Sequence, residues 1–291
     1  MRRSLKKIVI LLLIASIPFG LFSCAEKSGE EEALPPVVTQ GLNEEESFIA
    51  SIESDGFTVI VYETYSEIVL YGGDKTELVI PDAFSGKAVK KIGERAFYGN
   101  EKLVSVTLPE KLIKLDNSAF EACTDLKTVV FGSELEVIGS SAFKDTALEA
   151  VTLPDSLVNL GRYSFYRTKI KTVTIPDGVE TIGKYAFCGC KELTEVKISV
   201  RAENISEYAF ADCESLKEII LPEGTRLVGD YCFKGCTALE KIYIPKNAAM
   251  GENVFLNCES VTVYTPKGSH AASWAKKYGV SYKTASSADK M

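Results

Sequence analysis

Phenylalanine recurs at a fixed spacing of 22 or 23 residues through this 291-residue chain, at positions 97, 120, 143, 165, 187, 210, 233 and 255. A small residue or valine directly precedes each phenylalanine, and an apolar residue lies five positions before it. A single coil of about 23 residues cannot bury its own apolar edge, whereas stacked coils share a continuous core. The spacing therefore predicts a solenoid whose phenylalanines form a buried column.

An alternating apolar pattern follows each phenylalanine, as in Leu103, Val106 and Leu108. A period of two predicts a short strand with one inward face. Proline cannot donate to a strand ladder and so marks a corner where the strand ends. Prolines occupy this corner at positions 109, 154, 176, 222 and 245. Each coil is predicted to contain a strand, a corner, a turn and a buried phenylalanine.

Two further columns of small residues run through the repeats. Glycine follows the apolar residue at positions 93, 139, 161, 183, 229 and 251. Since Asp116 and Ser206 replace it elsewhere, we expect it to serve close packing more than a positive φ. Three residues after each phenylalanine lies a residue able to hydrogen-bond a turn: Asn100, Cys123, Thr146, Thr168, Cys190, Cys213, Cys236 and Cys258. Stacked cysteines would lie within disulfide reach, but we predict free buried thiols.

The repeat Ile-Gly-x-x-Ala-Phe-x-x-Cys-x-x-Leu-x-x-Val-x-Ile-Pro resembles the BspA-type leucine-rich repeat family over residues 68–266. The resemblance implies a β-rich α/β solenoid, a right-handed coil stack with short parallel strands on its concave face. It also implies a bacterial surface protein that binds host or neighbouring-cell ligands and has no enzymatic activity.

The ends of such a stack need caps, because the terminal coils would otherwise expose core. Residues 57–62 and 68–71 are predicted to form an N-terminal hairpin that leads to a first rung at 78–81. Ser269 is predicted to N-cap a helix whose Trp274 covers the last coil. We therefore expect a cap and first rung at 48–91, an eight-repeat solenoid at 92–266, and a C-terminal cap helix and tail at 267–291.

The N-terminal segment has the pattern of an export signal. Cations at positions 2, 3, 6 and 7 precede an apolar run at 8–17, which predicts a signal peptide over residues 1–23. The sequence Leu-Phe-Ser-Cys that ends at Cys24 looks like a lipobox, so Cys24 is the expected lipid-attachment residue. The alternative is an ordinary secretory signal with a chance cysteine. The glutamate-rich stretch 24–47 is predicted to be a disordered acidic tether.

Charge and the predicted export signal set the expected location and partners. Removing the four cations of residues 1–23 takes the net charge from −7 to −11, which disfavours nucleic acid and anionic lipid. We expect a monomeric protein, lipid-anchored to the bacterial cell envelope and surface-exposed on the outer membrane. Its membrane contact would be the lipidated Cys24 only, its ligand a protein or glycan, and nucleic acid would not bind.

Motifs for catalysis are scarce. His270 is the only histidine, and it lies beside the predicted cap helix. Cys188 and Cys190 suggest a metal or redox site, but zinc needs four ligands and Cys190 already belongs to the cysteine column. Glu195 and Glu218 are the closest approach to paired carboxylates, which keeps a carbohydrate-active enzyme as a third alternative. We predict no enzymatic activity, no cofactor and no metal.

Binding is expected on side chains that point outward from the strands, because the inward ones form the core. The candidate partner-binding residues are Thr128, Thr152, Thr174, Glu195, Lys197, Glu218, Ile220, Lys241 and Tyr243. They predict an adhesion or ligand-binding role. An alternative is that threonine simply suits strands and that Glu and Lys form cross-strand pairs without any ligand. The other functional alternative is a periplasm-facing structural or accessory lipoprotein of an envelope complex.

Overall fold

A computed structural model describes residues 47–285. The predicted signal peptide, Cys24 and all of the predicted tether except its last residue lie outside this range. In chain order the strands are β1 Phe48–Ser54, β2 Phe57–Tyr62, β3 Ser66–Tyr71, β4 Glu77–Val79, β5 Ala83–Phe84, β6 Lys87–Ile92, β7 Ser105–Thr107, β8 Lys114–Leu115, β9 Thr128–Val130, β10 Val137–Ile138, β11 Asn159–Leu160, β12 Thr172–Thr174, β13 Thr181–Ile182, β14 Glu195–Lys197, β15 Asn204–Ile205, β16 Glu218–Ile220, β17 Leu227–Val228, β18 Lys241–Tyr243, β19 Ala249–Met250, β20 Thr262–Thr265 and β21 Ser281–Thr284. One helix, α1 His270–Tyr278, lies between β20 and β21.

The predicted strands form parallel ladders, and their outward side is called the front face here. The ladders are β4-β7-β9, β12-β14 and β16-β18-β20-β21. Inward residues such as Val106, Val173 and Ile242 are buried. The strand expected around Val151 is reduced to one bridge between Thr128 and Ala150, so this part of the prediction is wrong. The interruption follows β9, whose corner carries Gly132 in place of the proline that restrains φ at most of the other corners.

A second strand in each coil builds a sheet that the sequence did not predict. This sheet is built from parallel two-residue strands, in the order β8-β10-β11-β13-β15-β17-β19. Each strand ends at the apolar residue of its repeat, so that Ile182 of β13 pairs with Ile205 of β15. The N-terminal cap joins the same sheet, because β3 pairs with β6. The predicted hairpin is confirmed as β2 and β3, and β1 adds a third, antiparallel strand at the outer edge.

The phenylalanine column is confirmed. Successive rings from Phe97 to Phe255 stack with centroids 4.5 to 5.9 Å apart and planes within 17°. The caps continue the column at both ends: the Tyr71 ring lies 5.2 Å from Phe97, and the Trp274 ring lies edge-on 5.8 Å from Phe255. Ser269 accepts a hydrogen bond from the Ala272 N–H, which confirms the predicted N-cap.

Besides its two strands, each coil has a third side, formed by the turns around its phenylalanine. Backbone hydrogen bonds join these turns from one coil to the next. The N–H of each phenylalanine from Phe97 to Phe233 donates to a carbonyl of the next coil, for instance from Phe187 to the Ala209 carbonyl at 2.9 Å. Residues two before and two after each phenylalanine have positive φ, including Tyr185 at 59° and Ala122 at 60°. Because the turns have the same conformation and are hydrogen-bonded to one another, the phenylalanines of successive coils lie in line. Their rings are therefore aligned for stacking.

The glycine column packs coil against coil, as predicted. None of its members has positive φ. A Cβ on Gly183 would lie 2.7 Å from the Leu160 carbonyl oxygen, and one on Gly229 would lie 2.5 Å from the Glu207 nitrogen. Distances this short leave no room for a side chain, so neighbouring coils approach as closely as glycine allows.

The cysteine column hydrogen-bonds the turns. Each thiol donates to the phenylalanine carbonyl of the preceding coil, as Cys190 does to Phe165 at 3.1 Å and Cys236 does to Phe210 at 3.1 Å. The seven cysteines of the described residues are free, and all except the half-buried Cys258 are buried. Burial raises the pKa of the Cys190 thiol to about 11, which keeps it protonated at neutral pH.

Candidate binding face

The front face carries eight of the nine candidate residues as expected. Seven are exposed, and Lys241 is half-buried: the exposed ones are Thr128, Thr152, Thr174, Glu195, Lys197, Glu218 and Ile220. These side chains point outward because side chains alternate along a strand, and their neighbours point into the core. The inward neighbours are Val129, Val173, Val196 and Ile219. The core therefore holds these outward side chains in fixed rows.

Tyr243 is buried, so its prediction as an outward contact residue is wrong. Its strand β18 is flanked on both sides by β16 and β20. The Tyr243 hydroxyl donates to Glu223 Oε1 at 2.8 Å, on the turn that follows β16. Burial, together with this hydrogen bond, raises the pKa of Tyr243. Tyr243 therefore stabilises the coil stack and offers no ring to a ligand.

Charged residues alternate across the C-terminal half of the front face. Lys197 Nζ lies 3.3 Å from Glu195 Oε1, and in the strand register Glu218 lies opposite Lys241. Lys197 thus offsets Glu195, as expected. Both partners of this ion pair are exposed, so it contributes little to stability. The carboxylates of Glu195 and Glu218 are both exposed.

The strand pairing of the front face is interrupted between β14 and β16. The two strands occupy neighbouring coils, yet they belong to separate ladders. A cleft of about 660 Å³ lies at this interruption, and Glu195, Lys197, Glu218, Ile220 and Lys241 line it. Five of the nine candidate residues therefore meet in one place.

The cleft also contains an exposed apolar residue, Val200, that sequence reasoning missed. Val200 is 72% exposed and Ile220 is 39% exposed, and both line the cleft. The signal in the sequence was Ser199, which stands where most coils have the corner proline. Its hydroxyl instead accepts a hydrogen bond from the Arg201 N–H at 3.1 Å. The changed corner directly precedes the opening of the ladder.

A second, smaller cleft of about 470 Å³ follows the other corner that lacks proline. Val130, Gly132 and Thr152 line it, and Val130 is 52% exposed. Thr128 lies on the strand next to this cleft, whereas Thr174 lies on β12 and lines neither cleft. Five candidate residues therefore line the larger cleft, Thr152 lines the smaller one, and Thr174 lies at neither.

The described part of the chain contains no cluster of three or more His, Cys, Asp or Glu side chains that could hold a metal ion. Cys188 and Cys190 are both buried, and the Cys190 Sγ lies 3.2 Å from the Thr168 hydroxyl. Over residues 47–285, no helix has the length and apolar character needed to cross a membrane.

Comparisons with known proteins agree on the repeat and the fold. The model of the BspA type leucine rich repeat region matches residues 77–167 and 158–272, in six copies. The crystal structure of a T. pallidum leucine rich repeat protein is similar, with 23% identity and a TM-score of 0.54 over 80% of this chain and 98% of that one. A leucine-rich repeat protein from Bacteroides ovatus has 23% identity and a TM-score of 0.47 over 78% of this chain and 71% of that one. No curated protein matches the sequence.

Proposed function

The chain belongs to the BspA-type leucine-rich repeat family, and from this premise we propose that it is a lipid-anchored binding protein of the bacterial cell surface. It holds a protein or glycan ligand on its front face and performs no chemistry of its own. The function is adhesion to a host or to neighbouring cells.

One observation carries this proposal: the cleft between β14 and β16 combines exposed apolar and charged side chains on a rigid support. Val200 and Ile220 supply apolar surface, and Glu195, Lys197 and Lys241 supply charge around it. Exposed apolar groups rimmed by charge are typical of interaction sites. The packed columns behind the face keep these groups in place, which lowers the entropic cost of binding.

Binding is tested with the full-length mature protein, a phage-displayed library of random twelve-residue peptides, and an array of oligosaccharides. Charge reversal at the cleft, as E195K, K197E, E218K and K241E together, should abolish binding to whichever class of probe is retained. The control is K191E with E214K, which exchanges an exposed ion pair of 2.8 Å outside the cleft. Binding that the cleft variant leaves unchanged would contradict the proposed site.

Anchoring rests on the sequence around Cys24. We expect radiolabelled palmitate to be incorporated by the wild type and not by Cys24→Ser, because the thiol is the acylated group. Protease added to intact cells should then release the repeats if they face outward. Repeats protected from protease on intact cells would instead support the periplasm-facing accessory role.

A further inference from the structure

The two ends of the coil stack carry opposite charge. The N-terminal end, residues 47–74, contains five acidic residues and no lysine or arginine. Four of these acidic side chains are exposed: Glu53, Asp55, Glu63 and Asp74. Three more glutamates, at positions 44–46, directly precede this range in the sequence. The N-terminal end is therefore strongly acidic.

The C-terminal end, residues 260–285, has the reverse composition. It contains four lysines and no acidic residue. All four lysines are exposed: Lys267, Lys276, Lys277 and Lys283. Lys276 and Lys277 lie in the last turn of α1, Lys283 lies on β21, and Lys267 lies at the corner before α1. The last helix, the last strand and their corner thus make this end basic.

The charges at both ends are not used in ion pairs within the chain. Between the ends, lysines pair with carboxylates of neighbouring coils, as Lys184 does with Glu207 at 3.4 Å. Within residues 47–285, none of the four lysines and none of the four exposed carboxylates takes part in such a pair. Both ends therefore keep their charge available to a partner.

Each end also exposes large apolar or aromatic side chains beside its charges. At the N-terminal end, Phe48 and Ile49 of β1 are exposed, and at the C-terminal end, Tyr278 and Tyr282 are exposed. Exposed apolar groups with charges around them are typical of interaction sites. Both ends therefore have the composition of a contact surface.

Protection of the sheet edges does not explain this distribution of charge. β1 is the outermost strand of its sheet and pairs only with β2, and β21 is the outermost strand of its ladder and pairs only with β20. Charge at such an edge prevents unwanted pairing, and polar caps keep a solenoid soluble. Either purpose is met by mixed charges, whereas here each end carries a single sign.

The two ends cannot meet within one copy. The sheet runs from β1 to β19 through ten strand spacings. At about 4.8 Å per spacing, the ends lie about 48 Å apart. Two copies bring opposite charges together only when the N-terminal end of one faces the C-terminal end of the other, because like ends repel. Charge complementarity therefore selects a second copy in a head-to-tail orientation.

We infer that copies of the protein associate head to tail, with the acidic N-terminal end of one copy against the basic C-terminal end of the next. The exposed apolar and aromatic side chains of the two ends cover each other in this contact. Each copy keeps one acidic and one basic end free, so the association continues as a row. Exposed ion pairs are individually weak, so rows form only as the concentration rises. The contact involves the ends and leaves the cleft between β14 and β16 open, and so goes beyond the proposed function.

The first test is sedimentation velocity of the mature chain, residues 24–291, with Cys24→Ser so that no lipid is attached. At low salt the mean sedimentation coefficient should rise with protein concentration. In about 1 M NaCl it should fall to the value of the monomer, because charges are then screened beyond about 3 Å. A single monomeric species at every concentration in low salt would overturn the inference.

The second test reverses the charge of one end at a time. Reversal at either end should weaken association about tenfold, the combined effect of three exposed ion pairs. The basic-end variant is K276E with K277E and K283E, and the acidic-end variant is E53K with D55K and E63K. The matched control reverses three exposed lysines between the two ends, as K111E with K127E and K169E. It changes the net charge as much as the basic-end variant does and should associate as the wild type.

Mixing the two variants separates a specific contact from a general effect of charge. The basic-end variant is acidic at both ends, and the acidic-end variant is basic at both ends, so each alone should remain largely monomeric. An equimolar mixture should associate as the wild type does, because each variant presents the charge that the other lacks. A mixture that stays monomeric, or a basic-end variant that associates as strongly as the wild type, would overturn the inference.

Discussion

Phe187 lies at the middle of the phenylalanine column, fully buried, with its ring centroid 5.4 Å from Phe165 and 5.5 Å from Phe210. Replacing it with alanine removes one ring, and with it two stacked pairs of the column, and leaves a cavity between coils. Since protein interiors are close-packed and relax only partly, we expect the free energy of unfolding to fall by about 3–5 kcal/mol.

The loss of the Phe187 ring should also allow the two halves of the solenoid to unfold separately. Coils are stabilised by their nearest neighbours, so a weakened interface in the middle uncouples the two halves. Urea denaturation followed by circular dichroism reports on all coils, whereas the fluorescence of Trp274, the single tryptophan, reports on the C-terminal cap. The two transitions should coincide in the wild type and separate in Phe187→Ala.

Tyr185→Ala is the matched control. Tyr185 stacks 4.6 Å from both Tyr163 and Tyr208 with nearly parallel rings, but it is only half-buried. We expect a loss of about 2 kcal/mol, which is about 1 kcal/mol for each of the two aromatic pairs that are removed. A Phe187→Ala loss no larger than that of Tyr185→Ala would refute the reasoning that the buried column stabilises the stack.

Three further predictions use the same denaturation assay. Gly183→Ala should cost about 1–3 kcal/mol, because its Cβ would lie 2.7 Å from the Leu160 carbonyl oxygen; an unchanged midpoint would contradict close packing of coils. Ala122→Gly should add about 1 kcal/mol, because Ala122 has a φ of 60°; a loss would contradict strain at this turn. Burial raises the pKa of Cys190 and Cys213 from 9.0 to about 11, so the unfolded thiols lose their protons first and stability should fall between pH 9 and 11. The fall is about 1.4 kcal/mol per thiol per pH unit, and C190T with C213T should make the slope shallower by the contribution of these two thiols; an identical slope would contradict the burial of these thiols.

The inward side of the fold could be predicted from the sequence because burial imposes a period. Every coil must place a phenylalanine, a strand apolar residue and a small residue in the same column, so the columns appear directly as recurring letters. The caps followed from the same reasoning, since Tyr71 and Trp274 cover rings that would otherwise face water.

The second sheet and the third ladder could not be predicted. A two-residue strand has no period of its own, and its pairing exists only between coils. Tyr185 adopts positive φ against its own preference because the ladder bonds of the turn require that conformation. Local propensity is overridden there by contacts 22 or 23 residues away.

The sequence predicted which side chains point outward on the binding face, but it did not predict which residues surround and cover them. Strand alternation correctly oriented Glu195 and Ile220, yet it could not show that Tyr243 is covered and paired with Glu223. Val200 was missed because it follows the strand, at a corner where alternation no longer applies. The absence of proline at Ser199 was the available sign.

The most direct test of the stacked-column claim is a crystal structure of the protein. We expect eight phenylalanine rings from Phe97 to Phe255 in one buried stack, with successive centroids 4.5 to 5.9 Å apart. Rings that point into solvent, or that are divided among separate hydrophobic cores, would contradict it.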